Sequence, residues 1–163
     1  MKKTYLKLIA SLFLLLGTTA FVACSNDDDI DETETVIGFN ELPMAAQTFL
    51  NTHFKGIDAY KIEKVTQVNV VLYDVELVNG FGIVFNSSGE WQEVDAPDGQ
   101  TVPMAIIPEP IQATLNEQYP GYGVVEINTT GQNYHVELSN NQGGSSIDLI
   151  FNQSGEIIAT VDM

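Results

Sequence analysis

Apolar residues at positions 42, 45, 46, 49, 50 and 54 recur at the i, i+3, i+4 spacing of a single helix face. Pro43 suits the first turn of that helix, Asn40 is placed to cap it, and Gly56 to end it. After Gly56 the period changes to two, which predicts strands over 59–66, 68–77, 81–86 and 91–95. Asn79-Gly80 and Ser88-Gly89 separate the later strands and are hairpin turn pairs. The same order then returns. A helix is predicted over 106–119, followed by strands over 124–129, 133–139, 146–152 and 156–161. Turns fall at 140–144 and 154–155.

The two halves also repeat residue by residue. Residues 42–56 lie over 107–121 at an offset of 65, with Pro, Gln, Leu, Asn, an aromatic and Gly coinciding. Tyr-x-Val-Glu-Leu occurs at 73–77 and 134–138, and Phe-Asn-x-Ser-Gly-Glu at 85–90 and 151–156. Three blocks in one order mark an internal duplication. The reading is an α+β protein of two tandem units, 39–95 and 106–163, joined by a linker at 96–105. Each unit has one helix packed on one face of an antiparallel sheet of about four strands. Alternation sends Val71, Tyr73, Val75 and Leu77 toward the helix, with Tyr134, Val136, Leu138, Ile147, Leu149 and Phe151. The face left open carries Val70, Leu72, Asp74 and Glu76 in the first unit and His135, Glu137, Asp148 and Ile150 in the second.

The N-terminus has a different grammar. Lys2 and Lys3 precede an apolar run from Leu8 to Val22, the layout of a secretory signal over 1–23. The run is short for a span of roughly 20 apolar residues. Phe21-Val22-Ala23-Cys24 resembles a bacterial lipobox, with Phe21 where the pattern has Leu, and Cys24 is the chain's one cysteine. The resemblance implies cleavage before Cys24 and a diacylglycerol on its sulfur; the alternative is ordinary cleavage after Ala20 or Ala23. Residues 24–38 then read as an acidic tether, with six acids between Ser25 and Thr35. An acidic run behind a lipidated Cys resembles the surface-export signal of Bacteroidetes lipoproteins, which implies an outer-membrane lipoprotein facing outward.

Charge narrows the function. The 163 residues carry 6 Lys and 22 Asp plus Glu, and no Arg. Three of the Lys lie in the signal, so the chain from Cys24 has a formal charge of −19. Such a chain has almost nothing with which to neutralise phosphates, which excludes DNA and RNA as partners. Bidentate Arg clamps on anionic substrates are excluded too. No Gly-x-Ser-x-Gly elbow is present, no thiol remains for catalysis, and Gly143-Gly144-Ser145 lacks the Lys of a phosphate loop. Two His, His53 and His135, fall short of a metal-ligand set. The expectation is a chain that is not an enzyme and needs no cofactor.

Trp91 is the aromatic singled out. Alternation with Val94 puts it on the open side, where it would anchor a patch with Val70, Leu72 and Val84, rimmed by Lys61, Glu63, Asp74, Glu76 and Glu93. The alternative has Trp91 folding over the sheet end into the core. In the second unit Glu126, His135, Glu137 and Asp148 make the open face negative and suited to a basic partner surface.

A helix opening on Leu-Pro, with Ile-Pro in the second half, and a Tyr-x-Val-Glu-Leu strand and a Phe-Asn-x-Ser-Gly-Glu hairpin that each occur twice, resemble the PepSY-like, beta-lactamase-inhibitor-like lipoproteins of Bacteroidetes. The resemblance covers about residues 39 to 163. It implies two α/β units whose sheets join into one curved surface, and a role in regulating or inhibiting a peptidase or other hydrolase. It transfers no inhibitory residue. The expected function is a lipid-anchored envelope module that presents its open sheet face to a protein or peptide. The alternative is an acidic lipoprotein that binds calcium or a small ligand.

Overall fold

The structure is a computed structural model and describes residues 32–140 and 146–161. Cys24 and the signal lie outside the described residues. The chain runs β1 (Glu32–Val36), α1 (Met44–His53), β2 (Ala59–Gln67), β3 (Val70–Leu77), β4 (Gly82–Asn86) and β5 (Trp91–Asp95). It continues with α2 (Glu109–Gln118), β6 (Gly123–Thr130), β7 (Asn133–Ser139), β8 (Ile147–Phe151) and β9 (Ile157–Val161). Among the described residues these nine strands form one antiparallel sheet in strict chain order. The two predicted sheets are therefore one, joined where β5 pairs β6 through Glu93–Asn128, Val94–Ile127 and Asp95–Glu126.

Both helices cover the same face. Ala46 and Leu50 of α1, with Leu42 and Phe54 at its ends, join Val75, Ile83 and Phe85 in the core. Ile111 of α2 joins Ile127, Val136, Leu149 and Phe151 in the same cluster. Phe49 meets Phe85 edge-on at 5.5 Å between ring centroids. Residues predicted to face the helices do so: Val75, Val136 and Leu149 are fully buried.

The recurring sequence blocks have a physical reason. In the β4–β5 turn, Asn86 Oδ1 accepts from Ser88 N, Ser88 Oγ and Glu90 N at 2.7 to 3.0 Å, and Asn86 Nδ2 donates to Glu90 Oε2. Asn152, Ser154 and Glu156 repeat every one of these bonds between β8 and β9. Gly89 and Gly155 follow with φ of 85° and 79°, a backbone that suits glycine. Each turn docks on the start of a helix. A Cβ on Gly89 would lie 2.8 Å from Ala46 N, and one on Gly155 would strike the Pro110 carbonyl. Thr114 Oγ1 donates to Gly155 O at 2.6 Å.

Three expectations need correction. Asn40 does not cap α1: it lies in a 3-10 turn, Phe39–Glu41, and the helix starts after Pro43 with no side-chain cap. Instead Gln47 Nε2 reaches back to Leu42 O at 2.8 Å, and Gln112 Nε2 does the same to Ile107 O at 2.7 Å. The acidic tether does not extend to residue 38, because Glu32–Val36 pairs with β2. Its side chains are largely exposed, so the backbone ladder holds an acidic strand at the edge. Four register shifts also break the simple period of two, between Ala59/Lys61, Val84/Phe85, Val124/Glu126 and Ile150/Phe151. They fall at matching places in the two halves.

One turn is strained. Val68, between β2 and β3, has φ of 51° and is 68% exposed. A β-branched residue is disfavoured there, whereas Asn tolerates it. Val68→Asn is expected to raise the free energy of unfolding by about 0.5 to 1 kcal/mol, read from urea midpoints at unchanged m-value.

Candidate functional site

The face away from the helices is ordered by cross-strand register. One row runs Glu63, Asp74, Val84, Glu93, Asn128, His135, Ile150 from β2 to β8. The next runs Lys61, Glu76, Gly82, Asp95, Glu126, Glu137, Asp148. Asp95, Glu126, Glu137 and Asp148 are thus directly opposite one another on four successive strands. Like charges so placed repel, and folding tolerates them here because the other face of the same strands is apolar core. On the far side of the first row, Val65 and Leu72 oppose each other, with Val70 and Val84 nearby on β3 and β4. The open face therefore has an apolar corner on β2–β4 and an acidic band on β5–β8.

Val70, Leu72, Asp74, Glu76, Val84, His135, Glu137 and Asp148 all take the face expected of them. Trp91 does not. The shift between Val84 and Phe85 pairs Trp91 with Phe85, a fully buried core residue. Trp91 consequently turns to the helix side, 6.3 Å from the Tyr134 ring, and lines a cleft of about 550 Å³ with Ala45, Phe49, Gln92 and Thr129. The bulge takes up one residue, so alternation counted from Val94 gives the wrong side. A signal was present: the offset of 66 places Trp91 over Ile157, which also packs against the core.

Residues the sequence placed at the rim, or left out, form the centre. Glu93 is only 4% exposed, and its Oε2 has no hydrogen-bond partner. Asp74 Oδ1 is also buried without one. Asn128 Nδ2 donates to Glu126 Oε1 at 3.1 Å and lies 3.3 Å from His135 Nδ1. With Nδ1 toward Asn128, the ring turns Nε2 toward β8. That nitrogen is 3.5 Å from Asp148 Oδ1. Lys61 Nζ pairs with Glu63 Oε1 at 2.7 Å, as their shared strand face predicted.

Burial and mutual repulsion hold protons on this face. Burial, followed by the nearby Glu126, Asp95 and Asp74, pushes the Glu93 carboxyl up to about 9. Burial, then Glu76 and Glu63, push Asp74 to about 7 against the pull of Lys61. Asp95 rises to about 6 through burial, Glu126, Glu137 and Asp98. Glu126 is raised chiefly by burial, opposed by its bond from Asn128. Glu90, at the turn, is lowered by its hydrogen bonds from Asn86 and Ser88.

The geometry defines a class: a two-layer α+β protein with one helix-covered sheet face and, among the described residues, one face that no helix covers. The chain belongs to the family described as "Putative beta-lactamase-inhibitor-like, PepSY-like", whose pattern matches residues 71–159. It is similar to a crystal structure titled a putative periplasmic protein from the DUF2874 family of Bacteroides vulgatus. That likeness has a TM-score of 0.72 and 28% identity, and covers 84% of this chain and all of the other. It is also similar to a Bacteroides thetaiotaomicron structure titled a putative calcium-regulated periplasmic protein, with a TM-score of 0.71 and 29% identity over 79% and 97% of the two chains. A second Bacteroides vulgatus structure, of a putative periplasmic protein of unknown function, gives 0.70 and 29% over 80% and 99%. No curated protein matches the chain.

The raised carboxyls fix the sign of a pH effect. An unfolded chain loses these protons near pH 4, whereas the folded chain keeps them to about 6, 7 and 9. Between those limits the folded state binds more protons, so stability falls as pH rises. The melting temperature should decline from pH 5 to pH 9. Glu93→Gln should raise it at pH 8 and flatten the upper part of the profile, as followed by circular dichroism.

Proposed function

We propose that the chain is a non-enzymatic binding module of the cell envelope that offers its open sheet face to a protein or peptide partner with a basic surface. The observation that carries this reading is the asymmetry of the sheet. Both helices and the core occupy one face, and the other pairs an apolar corner with a continuous acidic band. Apolar contact rimmed by charge is the pattern of a recognition surface. Its relatives are titled periplasmic proteins, which supports an envelope location. The family description supports, as the class of partner, an enzyme whose activity is restrained by binding. The matching bulges and Asn-Ser-Glu turns support the duplication of one helix-and-sheet unit.

The mature chain, used as bait against envelope extract, should retain a partner that Leu72→Asp with Val84→Asp releases. Trp91→Ala, on the helix side, should leave capture intact. Loss with Trp91→Ala alone would place recognition in the cleft instead. Cys24 is proposed as the lipid attachment point, with the protein on the outer membrane. Cys24→Ala should move the protein from the membrane to the soluble fraction with an unchanged melting temperature.

One observation favours a second reading: a relative of solved structure is titled calcium-regulated, and the acidic band offers oxygen ligands. Among the described residues, however, no three potential ligands converge on one point. A thermal shift with calcium that Glu137→Gln removes would favour it.

A further inference from the structure

The acidic band is a line, and a line specifies the shape of what it binds. Asp95, Glu126, Glu137 and Asp148 occupy equivalent register positions on β5, β6, β7 and β8. Neighbouring strands lie about 4.8 Å apart, so the row runs across the strands at that step. A point cation would need ligands converging on one centre. A row instead suits cations spaced at similar intervals along a rod. Side chains at i, i+3 or i+4 of a helix stand about 5–6 Å apart, close to the step of the row. Same-face side chains of an extended strand stand about 6.7 Å apart and fall out of step within three positions.

A second observation lies beside the row. Glu93 sits on the same face between Val84 and Asn128, 4% exposed, with Oε2 unbonded. A buried carboxyl oxygen without a donor is costly unless something is to fill its place.

We propose that a partner helix bearing Lys or Arg at every third or fourth position lies across β5–β8, with its cations on Asp95, Glu126, Glu137 and Asp148 and one donor reaching Glu93. This rests on the reading of the open face as the binding surface and specifies the occupant. Docking would be coupled to proton release. The groups facing Glu93 are Glu126 from β6, Asp95 from β5 and Asp74 from β3, while its β4 neighbour Val84 carries no charge. Burial, and after it repulsion among these carboxyls, retains the proton, and an arriving cation offsets both by favouring the ionised form.

The test uses the mature chain and two synthetic helical peptides of identical composition. One has four Lys in an i, i+4 stripe; the other has them spread around the helix. Calorimetry at low salt and pH 7.5 should show the striped peptide binding about five-fold tighter. Glu126→Gln with Glu137→Gln should abolish that preference. Repeating the titration in buffers of different ionisation enthalpy should reveal protons released on binding, and Glu93→Gln should reduce their number. These substitutions remove like-charge repulsion, so a melting temperature at or above that of the parent shows that the fold is retained. Equal affinity for the two peptides, or binding without proton release, overturns the proposal. Absence of binding by both overturns it as well, and leaves the reading of the open face to be judged by the Leu72→Asp and Val84→Asp capture.

Discussion

Three residue pairs between β5 and β6 hold the architecture together. Val94 and Ile127, both fully buried, bind the halves on the helix side. On the other side the same short ladder brings Asp95 against Glu126 and Glu93 against Asn128. The apolar pair and the acidic pair cannot be chosen separately, because adjacent residues of a strand point to opposite faces. The attraction that closes the core is thus what compels the carboxylates together. The repulsion among them is met by protons kept on Glu93 and Asp74, where bare charges would be costly.

Much of this was legible in the residues. The helix stripe through Ala46 and Leu50, the Asn-Gly and Ser-Gly turns, and the helix-side positions of Val75, Val136 and Leu149 follow from periodicity alone. So does the placement of His135, Glu137 and Asp148 on the open face. What escaped was set by tertiary pairing. β1 has no apolar stripe to announce it and exists through its backbone ladder with β2. Trp91 changed sides because a bulge takes up one residue in β5. The closeness of Asp95 and Glu126, 31 positions apart in the chain, depends on which strands become neighbours. No local pattern encodes that.

The bulges also explain how a duplicated pattern yields one sheet with two consistent faces. One register shift lies near the start of β2 and one near the start of β6, and each half has another in its last hairpin. At the β5–β6 junction the unshifted pairs Val94–Ile127 and Asp95–Glu126 keep the inward and outward sides of the halves in phase. Without the bulge in β5, alternation from Val94 would turn Trp91 to the open face.

The depth of Glu93 has a further consequence, for how an approaching molecule experiences this protein. The formal charge overstates the field at a distance, since Glu93, and in part Asp74, carry protons near neutrality. The potential felt within about a Debye length of the surface arises from exposed acids such as Glu34, Glu41, Asp58 and Glu109. Those outer groups steer any cation, whatever its shape. On the proposed reading of the open face, the inner ones respond at contact, where a proton can be exchanged for a fitting positive charge. Encounter rate and discrimination then fall to different carboxylates of a single acidic chain, and either can change without the other.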